Sequence, residues 1–254
     1  MHGIDPQIKQ AYDNQYSGKE SAWRDMGARH KAQNILNITG GKRFGKVLEV
    51  GAGDGAVLQA LHQANFADEY YVCEISTSAV EGIKRRNLSR LKEVKLFDGY
   101  AIPYPDDYFD LVILTHVLEH VEHERILLRE LRRVAPMQLI EVPRDYRFAV
   151  DRRIKHYLAY GHINVYTPTF LRFLLQTEGL EIMEELLTIN DYDAFSYVHF
   201  ENQNRKKTLP AVLILRLKYA IKQALAHHLP DRWRHVYVSN ITFLTRRGVK
   251  QGIL

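Results

Sequence analysis

Residues 47–61 read VLEVGAGDGAVLQAL, and this stretch decides the fold. Its first half is a short apolar run that predicts a buried strand, and the apolar residues at helical spacing that follow predict a helix. Gly51, Gly53 and Gly55 lie between the two. Glycine allows a sharp turn and lets a ligand approach the backbone, so the stretch predicts a ligand-binding turn between a strand and a helix.

Strand-like and helix-like segments alternate along the chain, which predicts a mostly parallel sheet with helices on both faces. The predicted strands span residues 45–50, 70–75, 94–97, 109–115, 137–143, 180–187 and 236–247. The predicted helices span residues 56–65, 79–87, 116–134, 169–179 and 209–230. We expect an N-terminal helical arm at 1–39 and one main domain at 40–254. The long connection at 188–235 before the last strand indicates a cap or lid.

Composition sets broad limits on function. The chain has 254 residues and a net charge of +5, and its basic residues are scattered, which does not favour a nucleic acid partner. Cys73 is the only cysteine, so an intrachain disulfide is excluded and a reducing compartment is favoured. We find neither a signal-peptide pattern nor a run of about 18 apolar residues, and we therefore expect a cytoplasmic protein.

Acidic residues surround the predicted glycine turn. Glu74 ends the second predicted strand, where an acid commonly binds the hydroxyls of a ribose. The spacing GAGDG departs from the GxGxxG pattern that brings a pyrophosphate to a helix N-terminus. Glu49 and Asp54 would repel a pyrophosphate but suit a cation. The turn therefore favours a positively charged nucleoside without phosphate, such as S-adenosylmethionine.

Residues 98–123, DGYAIPYPDDYFDLVILTHVLEHVEH, follow the third predicted strand. Together with the glycine turn they resemble the class I S-adenosylmethionine-dependent methyltransferases, in particular the small-molecule group called type 11, over about residues 46–142. The resemblance implies an α/β fold: a Rossmann-like, seven-stranded, mostly parallel sheet with helices on both faces and a helical cap inserted before the last strand.

The same resemblance implies S-adenosylmethionine as the cofactor and assigns residues to it. The methionine portion would be contacted by Glu49, Gly51, Ala52, Gly53 and Gly55, the ribose by Glu74, and the adenine by Ile75, Asp98, Gly99 and Tyr100. Thr115 and His116 would face the sulfonium. Aromatic residues of the N-terminal arm, above all Tyr16 and less so Tyr12 and Trp23, would close over the cofactor.

Histidines are the candidate catalytic bases because imidazole titrates near neutrality. We consider His116, and second His162 in the segment YGHINVYTP, for removing a proton from the acceptor. In a helix over 116–134, His116 and His120 would be an i, i+4 pair able to hold a metal with Glu119 or Glu124. Methyl transfer from a sulfonium needs no metal, and we expect none.

The expected acceptor is an oxygen or nitrogen of a small molecule, a sugar or a lipid-linked compound. Ile214, Leu217, Ile221 and Leu225 share one face of the helix over 209–230, and Arg216, Lys222 and Gln223 fall largely elsewhere. We expect that apolar face to dock on the domain as a lid, with peripheral membrane contact through residues 211–228 as the alternative. Arg144, Arg147, Arg152 and Arg153 are candidates for binding an anionic acceptor, although a solvated loop is favoured.

Three other functions stay open at this point: an RNA methyltransferase, a nicotinamide-dependent oxidoreductase and a non-catalytic binding protein. The sequence THVLEH after the fourth strand is not the Asn/Asp-Pro-Pro-Tyr motif of enzymes that methylate base amines. The glycine spacing disfavours a nicotinamide cofactor. The acids Glu49, Glu74 and Asp98 argue against a non-catalytic module. Oligomeric state stays unassigned.

Overall fold

The computed structural model describes residues 10, 13, 21–146, 150, 157, 161–202, 204–230, 233 and 235–249. The described residues form one seven-stranded sheet with the order β3-β2-β1-β4-β5-β7-β6. Its strands are β1 (Phe44–Val50), β2 (Ala67–Glu74), β3 (Leu91–Leu96), β4 (Leu111–Thr115), β5 (Met137–Pro143), β6 (Leu180–Thr188) and β7 (Asn240–Arg247). Strands β1 to β5 pair in parallel, and β7 runs antiparallel between β5 and β6. The predicted fold class is confirmed.

Helices cover both faces of the sheet. They are α1 (Ser21–Ile38), α2 (Ala56–Gln63), α3 (Thr77–Arg85), α4 (Glu124–Val134), α5 (Pro168–Thr177), α6 (Tyr192–Tyr197) and α7 (Leu209–His228). One core cluster joins the sheet to α4 and α5, and a second joins the opposite face to α1 and α2. Strand β4 is buried at every residue because the two clusters pack against its two faces.

The arm helix α1 is part of this packing. It contacts α2, β6 and β7, and its Ile35 is fully buried. Asn34 reaches across to donate a hydrogen bond to Oε2 of Glu141 on β5 at 2.8 Å. Helix α1 therefore packs against the sheet as part of its helical layer. The domain boundary at residue 40 stays a prediction.

The helix predicted over 116–134 begins only at Glu124, so that prediction is wrong for its first two turns. His116 has a left-handed backbone with φ 54°, and Leu118–His120 forms a single 3₁₀ turn. Because a left-handed residue breaks a right-handed helix, His116 and His120 are not an i, i+4 pair on one helix face. The metal pairing considered for them on that spacing therefore loses its geometric basis.

The expected orientation of α7 is also wrong. Leu215 is its buried residue at 2% exposure, whereas Ile214, Leu217 and Ile221 are 55%, 63% and 51% exposed. Two hydrogen bonds from polar side chains of α7 fix which of its faces is turned inward. The hydroxyl of Tyr219 donates to the carbonyl of Asn190, and Nζ of Lys222 donates to Oγ of Ser239.

The face predicted to dock on the domain is therefore turned mostly to solvent. Among the described residues, no helix combines the length and the apolar character needed to cross a bilayer. Whether residues 188–235 act as a lid stays a prediction.

Candidate functional site

Four polar side chains lie at the carboxyl ends of parallel strands, the edge where doubly wound sheets bind ligands. They are Glu49 on β1, Glu74 on β2, Thr115 on β4 and Glu141 on β5, all no more than 5% exposed. Glu49 is in register with Ile113, and Thr115 is in register with Glu141. Since aligned residues and alternate residues share a face, Glu49, Thr115 and Glu141 point to the side covered by α1.

The glycine turn joins β1 to α2 as predicted, and its glycines are required by the backbone. Gly51, Gly53 and Gly55 have φ values of 70°, 56° and 79°, a region that residues with a side chain rarely adopt. A β-carbon at Gly51 would lie 2.5 Å from Cγ2 of Val117. The first glycine is therefore needed for protein packing, whatever ligand approaches the turn.

Glu74 ties this turn to the end of β2. Its Oε2 accepts from the N–H of Gly53 at 2.9 Å, and its Oε1 accepts from the N–H groups of Ile75 and Ser76 at 2.7 and 3.0 Å. Burial raises the pKa of Glu74, and the three N–H donors oppose that rise. The carboxylate predicted to bind the ribose is thus already held in place by the backbone.

The two acids predicted to suit a cation differ in their surroundings. Oδ2 of Asp54 lies 3.1 Å from Nε of Arg24, and its Oδ1 lies 3.3 Å from Arg86, so Asp54 is neutralised by arginines. Glu49 is 1% exposed, and its Oε2 has no hydrogen-bond partner among the described residues. Burial raises the pKa of Glu49 to about 8, so at neutral pH it is mostly protonated.

The other predicted cofactor residues that the structure describes follow the carboxyl ends of β1, β2 and β3. Oδ1 of Asp98 accepts from the N–H groups of Tyr100 and Ala101, which fixes the loop after β3. Gly99 has φ 92° within that loop. Ala52 and Tyr100 are buried, Ile75 is partly exposed and Asp98 is exposed. Tyr12, Tyr16, Arg147, Arg152 and Arg153 lie outside the described residues, and Trp23 lies in α1.

His116 follows β4 and sits against Glu141. Its Nε2 lies 3.3 Å from Oε1 of Glu141, although the two are not aligned for a hydrogen bond. The other oxygen of Glu141 accepts from Asn34 and from Oγ1 of Thr242. Burial, with a further contribution from the Lys31 charge, lowers the pKa of His116 to about 4. His116 is therefore neutral at pH 7 and only a weak base.

The second candidate, His162, lies beside the 3₁₀ turn. The N–H groups of Ile163 and Asn164 donate to the carbonyl of Glu119, which docks this segment on the turn. The rings of His120 and His162 meet edge to face with centroids 4.8 Å apart. Burial alone would lower the pKa of His162, but contacts with Asp145 and Glu119 raise it overall.

The sequence did not predict Lys31 or Glu141 as residues of the site. It also did not predict that Glu119 is buried there. Lys31 on α1 faces Glu141, Glu119 and Glu49, and burial lowers its pKa. A signal for Glu141 was present, since a glutamate interrupts the apolar strand MQLIEVP. For Lys31 no local pattern exists, because only the docking of α1 brings it to the site.

Comparison with known proteins places this geometry in a family. Residues 22–185 match a family model described as a methyltransferase domain. Ubiquinone/menaquinone biosynthesis C-methyltransferase UbiE from Cupriavidus taiwanensis is 33% identical over 113 residues, which cover 42% of this chain and 46% of the relative. The match thus spans less than half the length of that relative.

Solved structures share the fold at low sequence identity. One similar chain lies in a complex of the Haloferax volcanii Trm112 methyltransferase activator with a methyltransferase. The two chains superpose with a TM-score of 0.64 at 15% sequence identity, and the match covers 98% of this chain and 100% of the other. Phosphoethanolamine N-methyltransferase 2 of Haemonchus contortus, solved with S-adenosyl-L-methionine, gives a TM-score of 0.62 at 13% identity, over 94% of this chain and 60% of the other.

Proposed function

This chain belongs to the methyltransferase-domain family of class I S-adenosylmethionine-dependent enzymes, and from that premise we propose that it methylates a lipid-linked small molecule. Its cofactor is S-adenosylmethionine. When bound, the cofactor supplies an electrophilic methyl group on a sulfonium that is a good leaving group. The protein must hold the acceptor in line, exclude water and take up any proton the acceptor releases.

The buried, unpartnered Oε2 of Glu49 fits a cationic amino-acid moiety at the glycine turn. A positive charge beside Glu49 would favour its carboxylate form, so cofactor binding should release a proton below pH 8. Glu74, prealigned by backbone donors, is proposed to accept hydrogen bonds from the ribose through its remaining lone pairs. These assignments rest on the geometry of the edge and on family membership.

The observation that carries the acceptor class is the outward face of α7. Leu213, Ile214, Leu217 and Ile221 are each more than half exposed on one helix, and basic side chains lie between them. An apolar stripe with interspersed Arg and Lys suits the surface of an anionic membrane. A methyltransferase that rests on a membrane through this helix would reach an acceptor dissolved in the lipid.

For the reacting atom we propose an oxygen or nitrogen, because neutral His116 at the end of β4 can take up the proton such an acceptor loses. The methyl carbon then forms its new bond to the acceptor while the carbon–sulfur electron pair stays on sulfur. Carbon is the second candidate, and it is supported by the name of the Cupriavidus relative, a C-methyltransferase. That relative's name also supports a quinone-type lipid as the acceptor.

The test uses S-adenosylmethionine labelled with ¹³C in its methyl group, the purified protein and a membrane lipid extract. We expect enzyme-dependent label in the organic phase, and the ¹³C chemical shift of the product separates O-, N- and C-methyl groups. Label confined to water-soluble products would contradict a lipid-linked acceptor. Boiled protein is the control for non-enzymatic transfer.

A further inference from the structure

Glu119, His120 and His162 form a cluster in which one potential ligand atom from each residue lies within 4.8 Å of the others. The first two belong to the 3₁₀ turn after β4, and the third comes from the segment docked on that turn. Nε2 of His120 lies 3.7 Å from Oε1 of Glu119. Two ligands bound to one ion at about 2.0–2.1 Å in tetrahedral geometry lie about 3.3 Å apart, so small side-chain shifts would complete a site.

Glu119 supplies an independent reason to expect an ion. Its side chain is 1% exposed, and neither Oε1 nor Oε2 has a hydrogen-bond partner among the described residues. A buried carboxylate without hydrogen bonds is strongly unfavourable unless it takes up a proton or a cation compensates it. Nδ1 of His116 and Nε2 of His120 each lie 3.7 Å from its Oε1.

Both histidines are oriented as metal ligands usually are. A ligating imidazole generally donates its second N–H to a carbonyl or carboxylate, which fixes the ring and makes the free nitrogen more basic. Nδ1 of His120 contacts the carbonyl of Gly161 at 2.9 Å, and Nδ1 of His162 contacts Oδ2 of Asp145. With Nδ1 of each ring in such a contact, Nε2 is the atom proposed to bind the ion.

We propose that Glu119, His120 and His162 bind a divalent transition-metal ion of the Zn²⁺ type. Two imidazoles with one carboxylate are a donor set that zinc accepts, and three protein ligands leave a further position for water or an oxygen-bearing ligand. Mg²⁺ and Ca²⁺ prefer oxygen donors throughout and fit this set poorly. Asp145 is a positioning residue in this site, acting through His162.

The test is direct metal binding by the full chain, without cofactor or acceptor. Protein stripped with a chelator is titrated with Zn²⁺ against a chromophoric competitor. We expect one tight ion per chain. Outer-shell partners typically change metal affinity by about 10–100-fold, so Asp145→Asn should fall in that range, and Glu119→Gln or His162→Asn should weaken binding by at least about 100-fold.

The matched control is His227→Asn, which removes an exposed histidine that lies beside another, His228. It should leave the tight site unchanged. Wild-type affinity in Glu119→Gln and His162→Asn, or a loss in His227→Asn alone, would overturn the proposal.

A second measurement needs no variant: the wild-type protein is loaded with Co²⁺. Intense visible d–d bands are expected for a four-coordinate site with nitrogen and oxygen ligands, and weak octahedral bands would overturn it. Failure of either metal test leaves the proposed methyl transfer untouched, since no cofactor is present in the measurement.

Discussion

Val117 packs so closely on Gly51 that a β-carbon at position 51 would lie 2.5 Å from Cγ2 of Val117. We predict that Gly51→Ala destabilises the protein by about 2–5 kcal/mol, from left-handed backbone strain of about 1–2 kcal/mol and overpacking of about 1–3 kcal/mol. Gly40→Ala is the matched control, because Gly40 has φ 61° and nothing within 4 Å of the added carbon. Urea unfolding measures both, and equal losses would show that the contact with Val117 relaxes freely.

The contribution of Glu49 to the stability of the empty protein should fall as pH rises from about 5 to 8, while the buried histidines His116 and His120 contribute in the opposite direction below about pH 6.5. The pKa of Glu49 is raised from 4.5 to about 8, so between these values the folded state binds more protons than the unfolded state. Stability from this group is full below pH 4.5 and is lost as pH approaches 8. In urea unfolding, Glu49→Gln should make the slope of stability against pH less negative than in the wild type, while Glu119, His116 and His120 contribute equally to both proteins. An unchanged slope would contradict a protonated Glu49.

Glu74→Ala should weaken the binding of S-adenosylhomocysteine by about 1.5–3 kcal/mol, because hydrogen bonds to a charged group are lost. It should also lower the free energy of unfolding, since the N–H groups of Gly53, Ile75 and Ser76 lose their acceptor. Calorimetric titration and urea unfolding separate the two effects. Glu81→Ala is the control, because Glu81 lies on the surface of α3. Unchanged affinity for the nucleoside would remove the proposed ribose contact.

His116→Asn should lower turnover by about 100-fold, the lower end of the range for a general base, because a pKa of about 4 makes His116 a weak one. Asparagine is chosen because it tolerates the left-handed backbone at this position better than alanine. The dissociation constant of S-adenosylmethionine should change little. A variant that loses cofactor affinity but keeps turnover at saturation would make His116 a wall of the pocket.

Leu217→Glu should weaken binding to vesicles that contain phosphatidylglycerol by at least about tenfold, since it removes buried apolar area and adds a charge that anionic lipid repels. Its thermal stability should stay the same because Leu217 is 63% exposed. Val249→Glu makes the same kind of change at a 92% exposed site outside α7. Co-sedimentation with vesicles measures both, and equal binding by the two variants would remove the membrane role of α7.

The sequence predicted the sheet well because each strand carries a local apolar pattern and each strand end carries its polar residue. Glu74 and Asp98 could be placed at the carboxyl edge from strand order alone. The break at His116 could not be predicted, since the residues 116–134 have helical spacing throughout and only tertiary contacts hold His116 at φ 54°. The spacing of apolar residues identifies the apolar face of a helix, but not the part of the protein that packs against that face.

The same limit explains α7. Its two faces carry apolar residues, and the choice between them depends on whether Tyr219 and Lys222 find Asn190 and Ser239. The sequence also did not show which acidic residues of the site have charged partners. Glu49 and Asp54 look alike in the sequence, but one is buried without a partner and the other meets two arginines. Such differences come from residues far away in the chain.

Glu141 receives hydrogen bonds from Asn34 and Thr242, which are 107 and 101 positions away from it in opposite directions. Such contacts between distant residues close long loops, and proteins rich in them fold slowly. The carboxylate beside His116 has both partners only when β7 is paired with β5. During synthesis, the chain must therefore have left the ribosome as far as β7 before this end of the sheet can form. A nascent chain that lacks β7 would expose Glu141 and the apolar residues beside it.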